Sequence, residues 1–225
     1  MKHKATILAI SEDTFETRVL ATDKPEGFDF QPGQAVNVAI DRPDWKEEER
    51  PFTMTSLPDD PCLQFTIKTY PERDGVTDKM RELRAGDELL LGEPWGAIEY
   101  QGPGIFIAGG AGITPFLAIL RDLRRQGQLD GNTLLYANSS AKEAIAAAEL
   151  KTMLGEDCHF FVTDESHPGF TEGRIGKEIL KKHLEQASEA KIYLCGPPAM
   201  TEETTDTLKS LGVSEGQMIT EDSND

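Results

Sequence analysis

The chain has 225 residues, enough for one large or two small domains at about 100–200 residues each. It carries 23 basic and 40 acidic side chains, a formal charge of −17 shared between both halves. That balance argues against a nucleic-acid binder, which needs an electropositive footprint, and against docking on an anionic membrane.

No stretch approaches the roughly 20 apolar residues of a membrane span. Ser11, Glu12 and Asp13 follow the basic start too soon for a signal-peptide core, so no membrane insertion is expected. Cys62, Cys158 and Cys195 are scattered and form no CxxC, and His3, His159, His167 and His183 have no ligand spacing. No metal is expected, and the reading is a reducing cytoplasm.

The first hundred residues read as short strands: Ala5 to Ile10, Thr17 to Ala21, Ala35 to Ile40, Phe52 to Ser56, Leu63 to Thr69 and Glu88 to Gly92. Turn chemistry such as Lys24-Pro25-Glu26-Gly27 and Gln31-Pro32-Gly33 separates them. One helix is predicted over Thr77 to Leu83, and Asp41 to Glu49 reads as a solvated charged loop. Strands and turns at this spacing predict a small closed barrel.

The second half changes period after a seam near Tyr100 to Gly104. Gly104 to Ala108 is a short apolar run, as in a strand buried on both faces, and Thr114 to Arg125 has helical spacing. The alternation repeats as strand Thr133 to Ala137 and helix Ala141 to Met153, then strand Cys158 to Val162 and helix Arg174 to Gln186. Strand Lys191 to Cys195, helix Pro198 to Leu211 and a last strand Gln217 to Thr220 complete it. This pattern predicts a doubly wound parallel sheet, with domains at 1–100 and 101–225.

Three segments carry chemistry. Gly109-Gly110-Ala111-Gly112-Ile113-Thr114-Pro115 follows the first parallel strand and opens a helix, a place suited to a diphosphate. Arg50-Pro51-Phe52-Thr53 offers a guanidinium for phosphate, a ring to stack and a hydroxyl. Cys195-Gly196-Pro197-Pro198-Ala199-Met200 lies at the carboxyl end of a parallel strand, where ligands of such sheets sit. Each alone also reads as an ordinary turn or barrel strand.

Together, and with Gly75-Val76-Thr77 and Gly92-Glu93-Pro94-Trp95-Gly96 between them, these segments resemble the ferredoxin–NADP reductase-like superfamily of flavin- and pyridine-nucleotide-dependent oxidoreductases. The resemblance runs from about Ala5 to Glu221. It implies an all-β plus α/β chain: an N-terminal antiparallel Greek-key flavin-binding barrel, then a nucleotide-binding domain. It implies that Arg50 and Pro51 border the flavin diphosphate, that Phe52 lies against the isoalloxazine and that Thr53 reaches flavin N5. Lys68 is placed to line the flavin site, with a surface lysine as the equal alternative. Gly75, Val76 and Thr77 put a helix start against the diphosphate, which favours FAD over FMN. Gly109, Gly110 and Gly112 take the nucleotide diphosphate, with Thr114 near the nicotinamide. Cys195 sits near nicotinamide C4, with Gly196 and Pro197 beside it, and Glu221 matches an acidic position with a proton role. Plant-type members end on an aromatic residue where Ser223 stands here.

The segment at the end of the second parallel strand, Tyr136-Ala137-Asn138-Ser139-Ser140-Ala141-Lys142-Glu143, has no arginine for a 2′-phosphate and offers Glu143 to a ribose diol, as in the cytochrome b5 reductase branch. NADH is therefore the expected donor, with Lys142 and the Ser139–Ser140 pair keeping NADPH open. A monomer is expected, passing electrons to a separate acceptor: a cytochrome, a ferredoxin or flavodoxin, or a small molecule. The competing reading is a flavin-binding regulatory or electron-transfer subunit with little turnover.

Overall fold

The computed structural model describes residues 2–70, 75–96, 98–187 and 189–221. Two six-stranded sheets divide the chain. The first contains β1 (His3–Thr14), β2 (Thr17–Asp23), β3 (Ala35–Ile40), β4 (Arg50–Thr53), β5 (Cys62–Lys68) and β6 (Glu88–Leu91). Their order is β4-β3-β6-β1-β2-β5, all antiparallel, with β6 inserted between β3 and β1 as a Greek-key crossover. Alternate side chains such as Ala5, Ile7, Leu20, Val36, Val38, Phe65 and Ile67 point inward to one core.

The sheet curls like a barrel but does not close. Its edge strands β4 and β5 meet at a single bridge, Met54 to Phe65. β4 has four residues, and Pro51 within it has no N–H to give to a second ladder. The predicted closed barrel is thus corrected to an open one with a seam beside the Arg50–Thr53 strand.

The second sheet is parallel, in the order β10-β9-β8-β7-β11-β12. Its strands are β7 (Gly104–Gly109), β8 (Thr133–Asn138), β9 (Cys158–Val162), β10 (Thr171–Glu172), β11 (Lys191–Cys195) and β12 (Met218–Thr220). Phe106 and Ala108 face one core with α2 (Ile113–Gln126) and α3 (Ala147–Leu154). Ile105 and Ile107 face the other with α4 (Lys177–Gln186) and α5 (Pro198–Ser210). Helices cover both faces, which explains why the strands read as continuous apolar runs.

Several elements differ from expectation for identifiable reasons. β1 runs on to Thr14, so its hairpin with β2 carries Asp13, Phe15 and Glu16 out to the second sheet. The predicted helix Ala141 to Met153 breaks. The Ile145 N–H goes to the Tyr136 hydroxyl at 3.1 Å and the Ala146 N–H to the Asp13 carboxylate at 2.8 Å. Ala146 adopts φ +53°, and α3 starts only at Ala147. α1 (Val76–Lys79) is shorter than predicted and continues as a 3₁₀ turn, Met80–Glu82. Arg18 takes the Met80 and Leu83 carbonyls at 2.6 and 3.2 Å. His183 on α4 is buried, edge-on to His159. Trp45, in the charged loop, packs on the barrel core.

Candidate functional site

Strand register builds the site. β11 lies between β7 and β12, with Cys195 opposite Ala108 and Leu194 opposite Thr220. One step past each strand end, Cys195 therefore sits beside Glu221, and Gly196 beside Gly109. The Cys195 thiol donates to Glu221 Oε2 at 3.5 Å. Burial, then the Glu221 carboxylate, push the thiol pKa far up, so Cys195 is a neutral S–H and no thiolate.

The glycine turn packs against this pair. A Cβ on Gly112 would run into the Cys195 carbonyl, and one on Gly109 into Met200. Gly110 is different: its φ is +52° and the space beyond it is open. It presents bare backbone to a cavity. α2 starts here with no side-chain cap, behind a 3₁₀ turn, Gly110–Gly112, whose carbonyls take the Ile113 N–H, so the dipole end of the helix faces the cavity through this glycine turn. Thr114, in its first turn, donates to the Ala111 carbonyl at 3.0 Å. The Tyr136 hydroxyl donates to the Gly110 carbonyl at 2.9 Å while accepting the Ile145 N–H. One phenol thus joins the glycine turn to the segment after β8.

The glycine turn, Thr114, Met200, Cys195 and Glu221 face one cavity of about 870 Å³ between the two sheets. The barrel contributes Pro51, Phe52 and Thr53 from β4, Lys68 from β5, and Thr77 from α1. The parallel sheet contributes Gly109, Gly110, Gly112 and Thr114, with Cys195, Gly196, Pro197 and Glu221. Ser139 and Glu143 border its far end.

Four expected residues, Arg50, Gly75, Val76 and Lys142, are not among those lining the cavity. Arg50 is exposed beside the cavity and donates to the Glu49 carbonyl at 2.6 Å. The Val76 side chain is in the barrel core, so only its backbone and that of Gly75 are left to face a ligand. Lys142 does not border the cavity and lies over the Phe15 ring at 4.8 Å. Ser223, where an aromatic was sought, lies outside the described residues.

Lys68 and Glu143 meet. Nζ lies 2.9 Å from Glu143 Oε2 and 3.4 Å from Glu16. Ser140 donates to the other Glu143 oxygen at 2.7 Å. Burial works against the charge on Glu143, but Lys68 and Ser140 outweigh it and hold the carboxyl below its ordinary range. Burial opposes the Lys68 charge too, and Glu143 and Glu16 still raise it.

Arg121 on α2 forms a second tie between the sheets. Its Nε and Nη2 grip Glu149 at 2.8 Å each, while Nη1 donates to the Thr55 carbonyl at 2.5 Å and to Gln64 Oε1 at 2.8 Å.

The sequence reading missed Tyr136, Asn138, Thr163 and Arg174. The last three border the cavity at its far end. Arg174 was read as helical, but Gly176 is extended at ψ −179° and the helix begins at Lys177, leaving Arg174 in the loop. A Gly-Arg pair ahead of the helix was the available signal.

Among the described residues, no group of three or more His, Cys, Asp or Glu side chains is placed to hold a metal ion. Nor is any described helix long and apolar enough to cross a membrane.

The sequence family described as the oxidoreductase NAD-binding domain matches residues 106–206. The chain is 27% identical over 220 residues to the ferredoxin–NAD(P)(+) reductase component of the naphthalene 1,2-dioxygenase system of Pseudomonas putida, covering 94% of this chain and 66% of that one. It is 32% identical over 179 residues to NADH–cytochrome b5 reductase 1 of Arabidopsis thaliana, covering 73% and 63%. The chain thus spans slightly under two thirds of the length of these relatives. Among solved structures, a ferredoxin NADP+ reductase from Neisseria gonorrhoeae with bound FAD and NADP superposes with a TM-score of 0.83 at 22% identity, covering 97% of both chains.

Proposed function

We propose, for a chain that belongs to the ferredoxin–NADP reductase-like superfamily, the work of an NAD(P)H:acceptor oxidoreductase that uses FAD. One observation carries the reading. Phe52 and Thr53 of the barrel face the same cavity as Thr114, Cys195 and Glu221 of the parallel sheet. Two flat rings brought in from the two sides would meet there. Residues 1–100 hold the flavin in this reading and residues 101–225 the nucleotide.

The residues present fit such a pair of ligands. The uncapped start of α2 and the bare Gly110 backbone suit a diphosphate. Phe52 offers a ring face and Thr53 a hydroxyl beside it. Arg50, exposed beside the cavity, would hold a flavin diphosphate by exchanging its hydrogen bond to the Glu49 carbonyl for one to a phosphate oxygen. Bound FAD supplies the redox chemistry that couples a two-electron donor to a one- or two-electron acceptor.

The chain's own residues orient and insulate. Cys195, 6% exposed, fills the space at the β11 end with a neutral, polarisable group and keeps water out. Glu221 accepts its S–H, which fixes the thiol's direction, and stands where a proton can be held at the cavity edge. Thr114 donates to the Ala111 carbonyl, which fixes the first turn of α2 at the cavity wall, where it would border a bound nucleotide.

NADH is the preferred donor, because Glu143 keeps a carboxylate at the ribose end. Lys68 compensates part of that charge, so the preference is modest. The acceptor is a separate molecule. A chain of net charge −17 favours a basic carrier or a small molecule over an acidic ferredoxin. Cys62, Cys158 and Cys195 are free thiols, which fits work in a reducing cytoplasm.

The test is direct. The purified protein should be yellow, should bleach on anaerobic addition of NADH, and should then reduce members of an acceptor panel assayed at two ionic strengths. Protein that binds FAD but is not reduced by either nucleotide overturns the reading in favour of a binding subunit.

A further inference from the structure

Gly109 and Gly112 are wedged by their neighbours, Met200 and the Cys195 carbonyl. Gly110, between them, has φ +52° and open space beyond it, so packing there does not fix its peptide. Two hydrogen bonds to its carbonyl do. One comes from the Ile113 N–H within the turn, the other from the Tyr136 hydroxyl at 2.9 Å. Tyr136 is fully buried on β8, with its ring beside Phe160. Its hydroxyl accepts the Ile145 N–H at 3.1 Å, which turns the phenolic proton toward Gly110. Burial pushes the phenol pKa up, so that proton stays in place throughout the working range. The Gly110–Ala111 peptide is planar and trans, so a carbonyl drawn inward to Tyr136 sends the Ala111 N–H the opposite way. Ala111 borders the cavity.

We propose that Tyr136 is a positioning residue for the nucleotide: its hydroxyl holds the Gly110–Ala111 peptide with the N–H outward, where it meets a phosphate oxygen of the bound diphosphate. The inference rests on the proposed reading of this cavity as the nucleotide site. An ionised phosphate oxygen only accepts, so a peptide turned the other way would set the Gly110 carbonyl against it, oxygen facing oxygen. A glycine with free space around it has more ways to turn its peptide than any other residue. A second hold, from outside the turn, confines it. The phenol supplies that hold from the core, and Ile145 on the next segment aims it.

The test compares flavin-loaded wild type with Tyr136→Phe, which loses the hydroxyl and keeps the ring. Calorimetry measures the Kd of NAD+ and of ADP-ribose, and proton–nitrogen NMR follows the Ala111 amide as ADP-ribose is added. In wild type the Ala111 amide proton should move downfield as it takes up a phosphate oxygen. Tyr136→Phe is expected to weaken both ligands about three- to ten-fold, the worth of one hydrogen bond. At saturating ADP-ribose it should lose most of the Ala111 shift. Flavin reduction at saturating NADH should stay within about two-fold, so that the change falls in KM rather than kcat. The unfolding temperature should fall too, because the Ile145 N–H loses its acceptor. A merely structural role predicts that fall alone.

A folded Tyr136→Phe with unchanged Kd values overturns the proposal, however far its unfolding temperature falls. So does a weakened variant whose Ala111 amide still moves as in wild type. If Tyr136→Phe does not fold, the wild-type amide decides: a downfield move with ADP-ribose supports the proposal and no move overturns it. Wild type that binds neither NAD+ nor ADP-ribose overturns both this proposal and the nucleotide reading. Wild type that binds both while Tyr136→Phe matches it overturns this proposal alone.

Discussion

Lys68 Nζ and Glu143 Oε2 stand 2.9 Å apart, one on a barrel strand and the other on the loop after β8. The pair spans the mouth of the cavity and takes up the carboxylate that the sequence offers to a ribose. The charge that would repel a 2′-phosphate is therefore partly neutralised before any nucleotide arrives.

The first prediction concerns nucleotide choice. An uncompensated carboxylate about 4 Å from another unit charge interacts by roughly 4 kcal/mol at an effective dielectric of about 20. With Lys68 alongside, a preference for NADH of about three- to ten-fold in kcat/KM is expected, expressed chiefly in KM. Lys68→Met should widen it by exposing the Glu143 charge, and Glu143→Gln should narrow it. Steady-state kinetics with both nucleotides decide. A wild type that prefers NADPH would place Arg174 and Ser139, not Glu143, at the 2′ position.

The same pair makes the closure of the cavity sensitive to pH. Glu143 has a folded pKa below its ordinary 4.5, so its contribution is complete above about pH 4.5 and is lost as pH falls through the lower folded value. Lys68 has a folded pKa above its ordinary 10.5, so its contribution is complete below about pH 10.5 and is lost as pH rises through the higher folded value. Stability attributable to the pair should be flat between these limits. A double-mutant cycle on urea unfolding should show full coupling at pH 7 and a coupling that declines as pH is lowered below about 4.5.

The division of labour along the chain is legible in sequence because it depends on local pattern. The period of Gly104 to Ala108 followed by Thr114 to Arg125 marks strand then helix, and the glycines between them mark the turn. Cys195 and Glu221 could be named separately, but their contact needs the parallel register of β11 and β12. Lys68 with Glu143, Arg121 with Thr55, and Asp13 with Ala146 were not legible. Each joins residues far apart in the chain, from opposite sheets, and nothing local in either partner announces the other. The helix predicted from Ala141 failed for the same reason, since two of its amides are claimed by Tyr136 and Asp13.

Cys195→Ala should retain its flavin yet slow anaerobic flavin reduction by about 10–100-fold, because the cavity is enlarged where the nicotinamide has to be held. The buried thiol is neutral throughout the working range, so the wild-type rate should show no inflection from Cys195 between pH 6 and pH 9, a span set by the assay rather than by the group. Stopped-flow spectroscopy measures both. A variant reduced at the wild-type rate would return Cys195 to a packing role.

Arg121→Met removes the donor to the Thr55 carbonyl and leaves Glu149 and Gln64 without it. A loss of about 2–3 kcal/mol in urea unfolding is expected. Glu149→Gln, which keeps the guanidinium in place, should cost less.

The glycines of the turn should separate by what lies beyond them. Gly112→Ala forces a methyl into the Cys195 carbonyl and should destabilise by about 1–3 kcal/mol while spoiling the Cys195–Glu221 geometry. Gly110→Ala meets no protein atom, so its cost is the left-handed backbone, about 1–2 kcal/mol. Its methyl stands in the cavity, and its main effect should be on nucleotide affinity, read by calorimetry against urea unfolding of the same variants.

The Tyr136 hydroxyl has a mechanical consequence. By holding Gly110 on one side and Ile145 on the other, it makes the glycine turn and the loop after β8 a single jaw. Neither loop can swing out alone to admit a dinucleotide. The barrel has to be the opposing jaw, and any wider gape must stretch three fasteners at once: Lys68 to Glu143, Arg121 to Thr55, and Asp13 to Ala146. Widening the cavity to admit a nucleotide would then work against these contacts between the sheets as well as against the Tyr136 hydrogen bonds.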